Sequence, residues 1–170
     1  MYKKAEYSGF QQKSSVWLPT VMTMTQKHAD DTAPFSATTT YTYDDRGNIL
    51  TTVGNSGTSM ELTTTATYDT YGNTLSSVTT GTGVKPITTY SEYDTSGRFV
   101  TKTYSLPAAA VTSYTHDIWG NVLTESDITD ATNALTTTHT YDNWGRLTST
   151  LSPDGTKTEV RTGWGEDYSR

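Results

Sequence analysis

One short phrase recurs five times along this chain at nearly constant spacing, and a chain built that way has few folds open to it. It reads Tyr43-Asp44-Asp45-Arg46-Gly47-Asn48, then Tyr68-Asp69-Thr70-Tyr71-Gly72-Asn73, then Tyr93-Asp94-Thr95-Ser96-Gly97-Arg98. His116-Asp117-Ile118-Trp119-Gly120-Asn121 and Tyr141-Asp142-Asn143-Trp144-Gly145-Arg146 follow, so the aspartates are 25, 25, 23 and 25 residues apart. Asp three residues ahead of Gly suits a type I turn. The carboxylate accepts a backbone N–H two residues on, and the glycine takes the left-handed conformation of a bulge. Asp44 with Gly47, Asp69 with Gly72, Asp94 with Gly97, Asp117 with Gly120 and Asp142 with Gly145 are each expected to form a hairpin tip.

Alternating segments flank every tip. Thr39-Thr40-Tyr41-Thr42-Tyr43, Thr65-Ala66-Thr67-Tyr68 and Thr137-Thr138-His139-Thr140-Tyr141 lead in, while Ile49 to Val53, Thr74 to Val78, Phe99 to Lys102 and Val122 to Glu125 lead out. With period two along each segment, these read as strands. Breaker-rich stretches separate the repeats: Gly54 to Gly57, Gly81 to Pro86, Leu106-Pro107, Asp127 to Asn133 and Pro153-Asp154-Gly155. One repeat of about 25 residues is thus two antiparallel strands, each roughly 4.8 Å from the next.

Composition agrees. The 170 residues include 39 Thr, 16 Ser and 12 Tyr against 3 Phe, and threonine and tyrosine favour strands. A net charge of only -6 with 11% aromatic residues separates this polarity from that of disordered chains. We therefore expect an all-β array of antiparallel hairpins forming a curved or spiralling sheet. Threonine should fill most of one face, with Tyr, Leu, Val and Ile in part of the other. Residues 38–151 hold the hairpin repeats. Residues 1–37 are expected to be a divergent strand, Val16 to Thr25, and a loop from Lys27 to Pro34, the remnant of a preceding hairpin without its tip. Residues 152–170 start a further repeat, and the whole reads as a fragment of a longer array, with open sheet edges that favour self-association.

Tyr-Asp-x-x-Gly-Asn/Arg in five registered copies over residues 38–151 resembles the YD repeat of the RHS family, found in bacterial RHS proteins, Tc toxin components and teneurins. The resemblance implies a strand spiral winding into a hollow shell, which in bacterial members encloses a C-terminal toxic effector. It implies a non-catalytic structural segment, located in a secreted or cell-surface bacterial protein whose export signal is not in this chain. Its partners would be the remaining repeats of the parent chain and an enclosed effector. The copies here are too few to close a shell.

Other chemistries find little purchase. An isoelectric point near 4.9 and scattered basic residues give no stripe for phosphates, so nucleic acid is not an expected partner. No apolar run is long enough to span a membrane as a helix. Cysteine is missing, which removes disulfides and thiolate metal sites. The five aspartates invite a calcium reading. Equivalent positions about 10 Å apart cannot converge on an ion whose ligands lie roughly 2.4 Å away, so turn capping is the expected role and no metal is assigned. His116 and His139 replace tyrosines of other repeats and read as sheet aromatics. Glu125 with Asp127, and Glu166 with Asp167, are carboxylate pairs that nothing places across a cleft. Gly81-Thr82-Gly83 lacks the rest of a dinucleotide fingerprint, and no Gly-x-Ser-x-Gly elbow occurs. No catalytic residue and no cofactor is expected.

The variable position just before the turn glycine holds Tyr71, Trp119 and Trp144. Rings at hairpin tips either pack on the neighbouring repeat or stack on sugars or on a partner's surface. These three are the candidate binding residues, and a carbohydrate- or cell-surface-binding adhesion module is the alternative function.

Overall fold

The structure is a computed structural model that describes residues 2–27, 33–108, 110–130 and 133–160. Among these residues every regular element is a strand, and strand order follows sequence order throughout. The chain divides into two compact units, Met1–Tyr90 and Ser91–Arg170.

The first unit begins with two strands of twelve residues, β1 (Tyr2–Lys13) and β2 (Val16–Lys27), paired antiparallel from Tyr2↔Lys27 to Lys13↔Val16. The N-terminal region is therefore a complete hairpin rather than a lone return strand. Its tip is Ser14-Ser15, with Ser14 at φ 52°, and the missing Asp–Gly phrase is what hid it. Part of the loop expected from Lys27 to Pro34 lies outside the described residues. The next strands are β3 (Phe35–Tyr43), β4 (Ile49–Gly54), β5 (Leu62–Tyr68), β6 (Thr74–Gly81) and β7 (Thr88–Tyr93), the last of which begins in this unit and ends in the second. Within them an unbroken rung runs Thr42↔Thr51↔Thr65↔Val78↔Thr88 across five strands.

Residues directly opposite share a face and adjacent residues point to opposite faces. The rung next door runs Tyr41↔Thr52↔Thr64↔Thr79 on the other side. Threonine thus lines both faces, against the expectation that it fills mainly one. The apolar residues alternate less regularly than the tips recur, so face composition was the weaker sequence signal.

The second unit carries β8 (Val100–Leu106), β9 (Val111–His116), β10 (Val122–Asp130), β11 (Asn133–Tyr141), β12 (Leu147–Leu151) and β13 (Lys157–Glu159). The stretch Asp127–Asn133, expected as a turn, is largely paired: Asp127↔Leu135 and Ile128↔Ala134 extend the ladder. Pairing on both sides overrides the weak strand propensity of aspartate.

Among the described residues no hydrophobic side chain is buried, and Ser149, 7% exposed, is the one buried residue. Stability therefore rests on ladder hydrogen bonds, cross-strand pairs and the tips instead of an apolar interior.

Candidate functional site: the hairpin tips

Each tip is a small hydrogen-bonded cage around its aspartate. In the fourth, Asp117 N–H donates to the Asn121 carbonyl (3.0 Å) and Gly120 N–H to the Asp117 carbonyl (3.1 Å), which closes the turn. The Asp117 carboxylate accepts the N–H groups of Trp119 and Asn121 at 2.8 and 2.9 Å and the Asn121 side-chain amide at 2.8 Å. Asp44 and Asp69 are held in the same way by Asn48 and Asn73. In the fifth tip the Arg146 guanidinium replaces the amide, donating to Asp142 at 2.7 Å. All five turn glycines have φ between +68° and +96°, as the type I turn with a bulge requires. These donors stabilise the ionised form. The Asn121 amide foremost holds the Asp117 carboxyl below the ordinary carboxylate range. The Asp44, Asp69 and Asp142 carboxyls are likewise depressed, against a desolvation that works the other way.

The third tip departs from the phrase. Asp94 N–H reaches past Arg98 to the Phe99 carbonyl (2.9 Å), and the Asp94 carboxylate accepts N–H groups from both Arg98 and Phe99. Phe99, not Arg98, fills the place that Asn48, Asn73, Asn121 and Arg146 hold elsewhere, so this tip is one residue longer. The Phe99 N–H and then the Ser96 hydroxyl bring the Asp94 carboxyl down to about 2.

Two further devices recur that the phrase did not reveal. Just below each tip a side-chain pair bridges the hairpin: Thr42 with Thr51 (2.6 Å), Thr67 with Ser76 (2.6 Å), Thr115 with Thr124 (2.6 Å) and Thr140 with Ser149 (2.8 Å). In the third repeat Lys102 donates to Glu92 at 3.2 Å from the same two places, counting the extra residue. Polar residues at these positions are visible in the sequence, but their pairing is fixed only by a bulge in the return strand. Tyr43 faces Ile49 while Thr42 faces Thr51, leaving Leu50 extra.

In three hairpins the motif tyrosine, in turn, ties the hairpin to the one before. Tyr43, Tyr68 and Tyr141 hydroxyls donate to the carbonyls of Pro19 (2.6 Å), Ile49 (2.8 Å) and Val122 (2.9 Å). His116 makes a different contact. Its ring stacks on Phe99 with centroids 5.3 Å apart and planes at 20°. His139, in the place of Tyr41, lies 3.1 Å from the Thr150 hydroxyl. Both histidines are sheet residues, as expected, and His28 lies outside the described residues.

Successive tips also touch. A Cβ on Gly72 would lie 3.3 Å from the Asn48 side chain, one on Gly145 3.5 Å from Asn121, and one on Gly120 only 2.5 Å from the Phe99 ring. The Arg46 guanidinium donates to the Thr70 carbonyl in the next tip, and Lys13 pairs with Asp45 at 3.2 Å.

Against this interlocking, Tyr71, Trp119 and Trp144 are 69%, 80% and 81% exposed. Packing on the neighbouring repeat, one of their two expected roles, is not what the structure shows. Trp119 and Trp144 line an open cleft of about 590 Å³ between the fourth and fifth tips, together with Asp117, Tyr141, Asp142 and Asn143. The Arg146 guanidinium stands 5.0 Å from the centre of the Trp144 ring. Glu125 and Asp127 face different partners. Asp127 accepts the Thr112 hydroxyl at 2.7 Å, and no group of three or more potential metal ligands assembles among the described residues. Glu166 and Asp167 lie outside them. No helix among the described residues is long and apolar enough to cross a membrane.

Residues 123–157 match the family model described as RHS Repeat, a stretch running from β10 through the fifth tip to the start of β13. No curated protein matches the chain in sequence. Among solved structures the chain is similar to the crystal structure of TcdB2-TccC3, at 18% identity and a TM-score of 0.44. It is also similar to those of TcdB2-TccC3-Cdc42, at 17% and 0.42, and TcdB2-TccC3-TEV, at 16% and 0.42. Each likeness covers 82% of this chain and 9% of the other, so the chain spans about a tenth of their length.

Proposed function

Starting from the RHS repeat at residues 123–157, we propose that this chain is a non-catalytic structural segment of an RHS-type β shell in a secreted or surface bacterial protein. Its parent encloses a C-terminal effector, and its partners are the neighbouring repeats and that effector. Residues 38–151 form the repeat array proper, flanked by the more divergent 1–37 and 152–170. The observation that carries this reading is the coupling between repeats. Each tip is locked internally by Asp, and neighbouring repeats are fastened by the Tyr68 and Tyr141 hydroxyls and by Gly72, Gly120 and Gly145 lying against the preceding Asn48, Phe99 and Asn121. Such units add in one dimension, each neighbour supplying part of the next one's support.

The test is protease protection in the parent protein. With the repeats intact, the segment that follows them should survive limited proteolysis, and it should be cut once the array is opened by paired changes such as Asp117→Ala with Gly120→Ala. A downstream segment equally sensitive in both forms contradicts the proposal. The exposure of Tyr71, Trp119 and Trp144 favours a second reading, adhesion to carbohydrate or to a cell-surface protein. A glycan array probed with the full chain tests the carbohydrate arm, and silence across it ends that arm.

A further inference from the structure

The clefts between consecutive tips are filled differently in the two units. Between the first and second tips a cleft of about 360 Å³ is lined by Asp44, Arg46, Tyr68, Asp69 and Thr70, and the Arg46 guanidinium reaches across it to the Thr70 carbonyl. The chain's own organic cation thus lies in a cleft that two turn aspartates also line. Between the fourth and fifth tips the position of Arg46 is taken by Trp119, and the cleft is larger, about 590 Å³, lined by Asp117 and Asp142 and by the aromatic residues Trp119, Tyr141 and Trp144. No lysine or arginine lines it.

We propose that this second cleft binds a methylated ammonium group, the head of a quaternary ammonium compound. Three features select that class. The tips are two strand spacings apart, about 9.6 Å, so a cation midway lies roughly 5 Å from each side, inside the limit of about 6 Å for attraction to a ring face. Trp144 already attracts a cation at that range, since Arg146, outside the cleft lining, stands 5.0 Å from its centroid. Finally, Asp117 supplies the negative field, since Asp142 is paired with the Arg146 guanidinium at 2.7 Å, and the two carboxylates offer few acceptors, because turn N–H groups and the Asn121 and Arg146 side chains already occupy their oxygens. A primary ammonium brings three donors that need acceptors; a fully methylated one brings none and needs only the rings and the field.

The experiment is a titration of the full chain with tetramethylammonium chloride, read at the indole N–H resonances by heteronuclear NMR, with sodium chloride at equal ionic strength as the blank. Saturable shifts at Trp119 and Trp144, but not Trp17, are expected. 2,2-Dimethylpropanol, a neutral compound of similar shape, should leave them unmoved. Trp119→Leu should weaken binding about tenfold, while Trp119→Tyr, which keeps a ring, retains most of it; dispersed amide resonances in both variants certify the fold. Equal shifts with the neutral alcohol, unaltered affinity in Trp119→Leu, or a response to oligosaccharides alone overturns the proposal. Because the readout does not involve an effector or a shell, its failure leaves the structural role untouched, and the reverse holds too.

Discussion

A single turn glycine shows how one position carries two demands. Gly120 has φ +96°, where a side chain is strained, and a Cβ there would also meet the Phe99 ring at 2.5 Å. Gly155, in the last turn, has φ +85° with nothing within 4 Å. Both substitutions to alanine cost the left-handed backbone term, about 1 kcal/mol. Gly120→Ala should cost at least about 1 kcal/mol more, since an aromatic ring must move. Equal losses in denaturant midpoints would refute the contact. The tyrosine hydroxyl is a smaller term: Tyr141→Phe removes the bond to the Val122 carbonyl and should cost about 1 kcal/mol, measurable by urea unfolding. At this scale the sequence was informative where chemistry is local. Asp–x–x–Gly specifies its own turn, so all five capping roles were legible. The tyrosine's partner was not, because a carbonyl 19 residues away is chosen by the stacking of hairpins and not by neighbours in the chain.

At the level of the hairpin, the bridging pair below each tip is interchangeable chemistry at a fixed place. Four repeats use hydroxyls, and the third uses Lys102 with Glu92, 39% and 51% exposed. An exposed ion pair is worth about 0–1 kcal/mol, and a cross-strand hydroxyl pair roughly 0.2–1. Replacing Glu92 and Lys102 together by threonine should therefore leave the melting temperature within a few degrees, whereas Lys102→Glu, which puts like charges opposite, should lower it. A large loss from the double change would show that the third repeat depends on its charges. That repeat also has the one tip that runs a residue longer than its phrase. The phrase ends Gly97-Arg98 there, and the sequence offers no sign that Arg98 is an inserted residue. Only the carbonyl paired with Asp94 N–H reveals it. The stack of His116 on Phe99 follows from the same insertion, since a ring now stands where other tips present an amide. The first hairpin was half visible for a related reason: a Ser14-Ser15 tip carries no signature, while the alternation of β2 does.

Over the molecule as a whole, support is spread along many equivalent turns, with no apolar interior among the described residues. Acid should therefore act on all of them at once. Asp44, Asp69, Asp94, Asp117, Asp142 and Asp154 have folded-state carboxyls below the unfolded value, Asp94 at about 2. A depressed carboxyl contributes stability that is fully present above its unfolded pKa, near 4, and is lost as pH falls through the folded value. Thermal melts followed by circular dichroism should be flat from pH 7 to about 5 and then fall steeply between roughly pH 4 and 2. A melting temperature unchanged down to pH 2 contradicts the turn network. The all-β class and the edge-to-edge order of hairpins were legible because a period of about 25 residues constrains the entire chain. How exposed Trp119 and Trp144 would be was not, since that depends on how far each tip projects beyond the next.

All of this depends on hairpins paired in one fixed register with their bends at the aspartate–glycine phrases. Nuclear Overhauser contacts between backbone protons test that directly. Cross-strand contacts are expected along Thr42, Thr51, Thr65, Val78 and Thr88 in one unit, and along Ser113, Ser126 and Thr136 in the other. Helical contacts three or four residues apart running through Leu62–Tyr68 or Val111–His116, or rungs shifted by one residue, would contradict it.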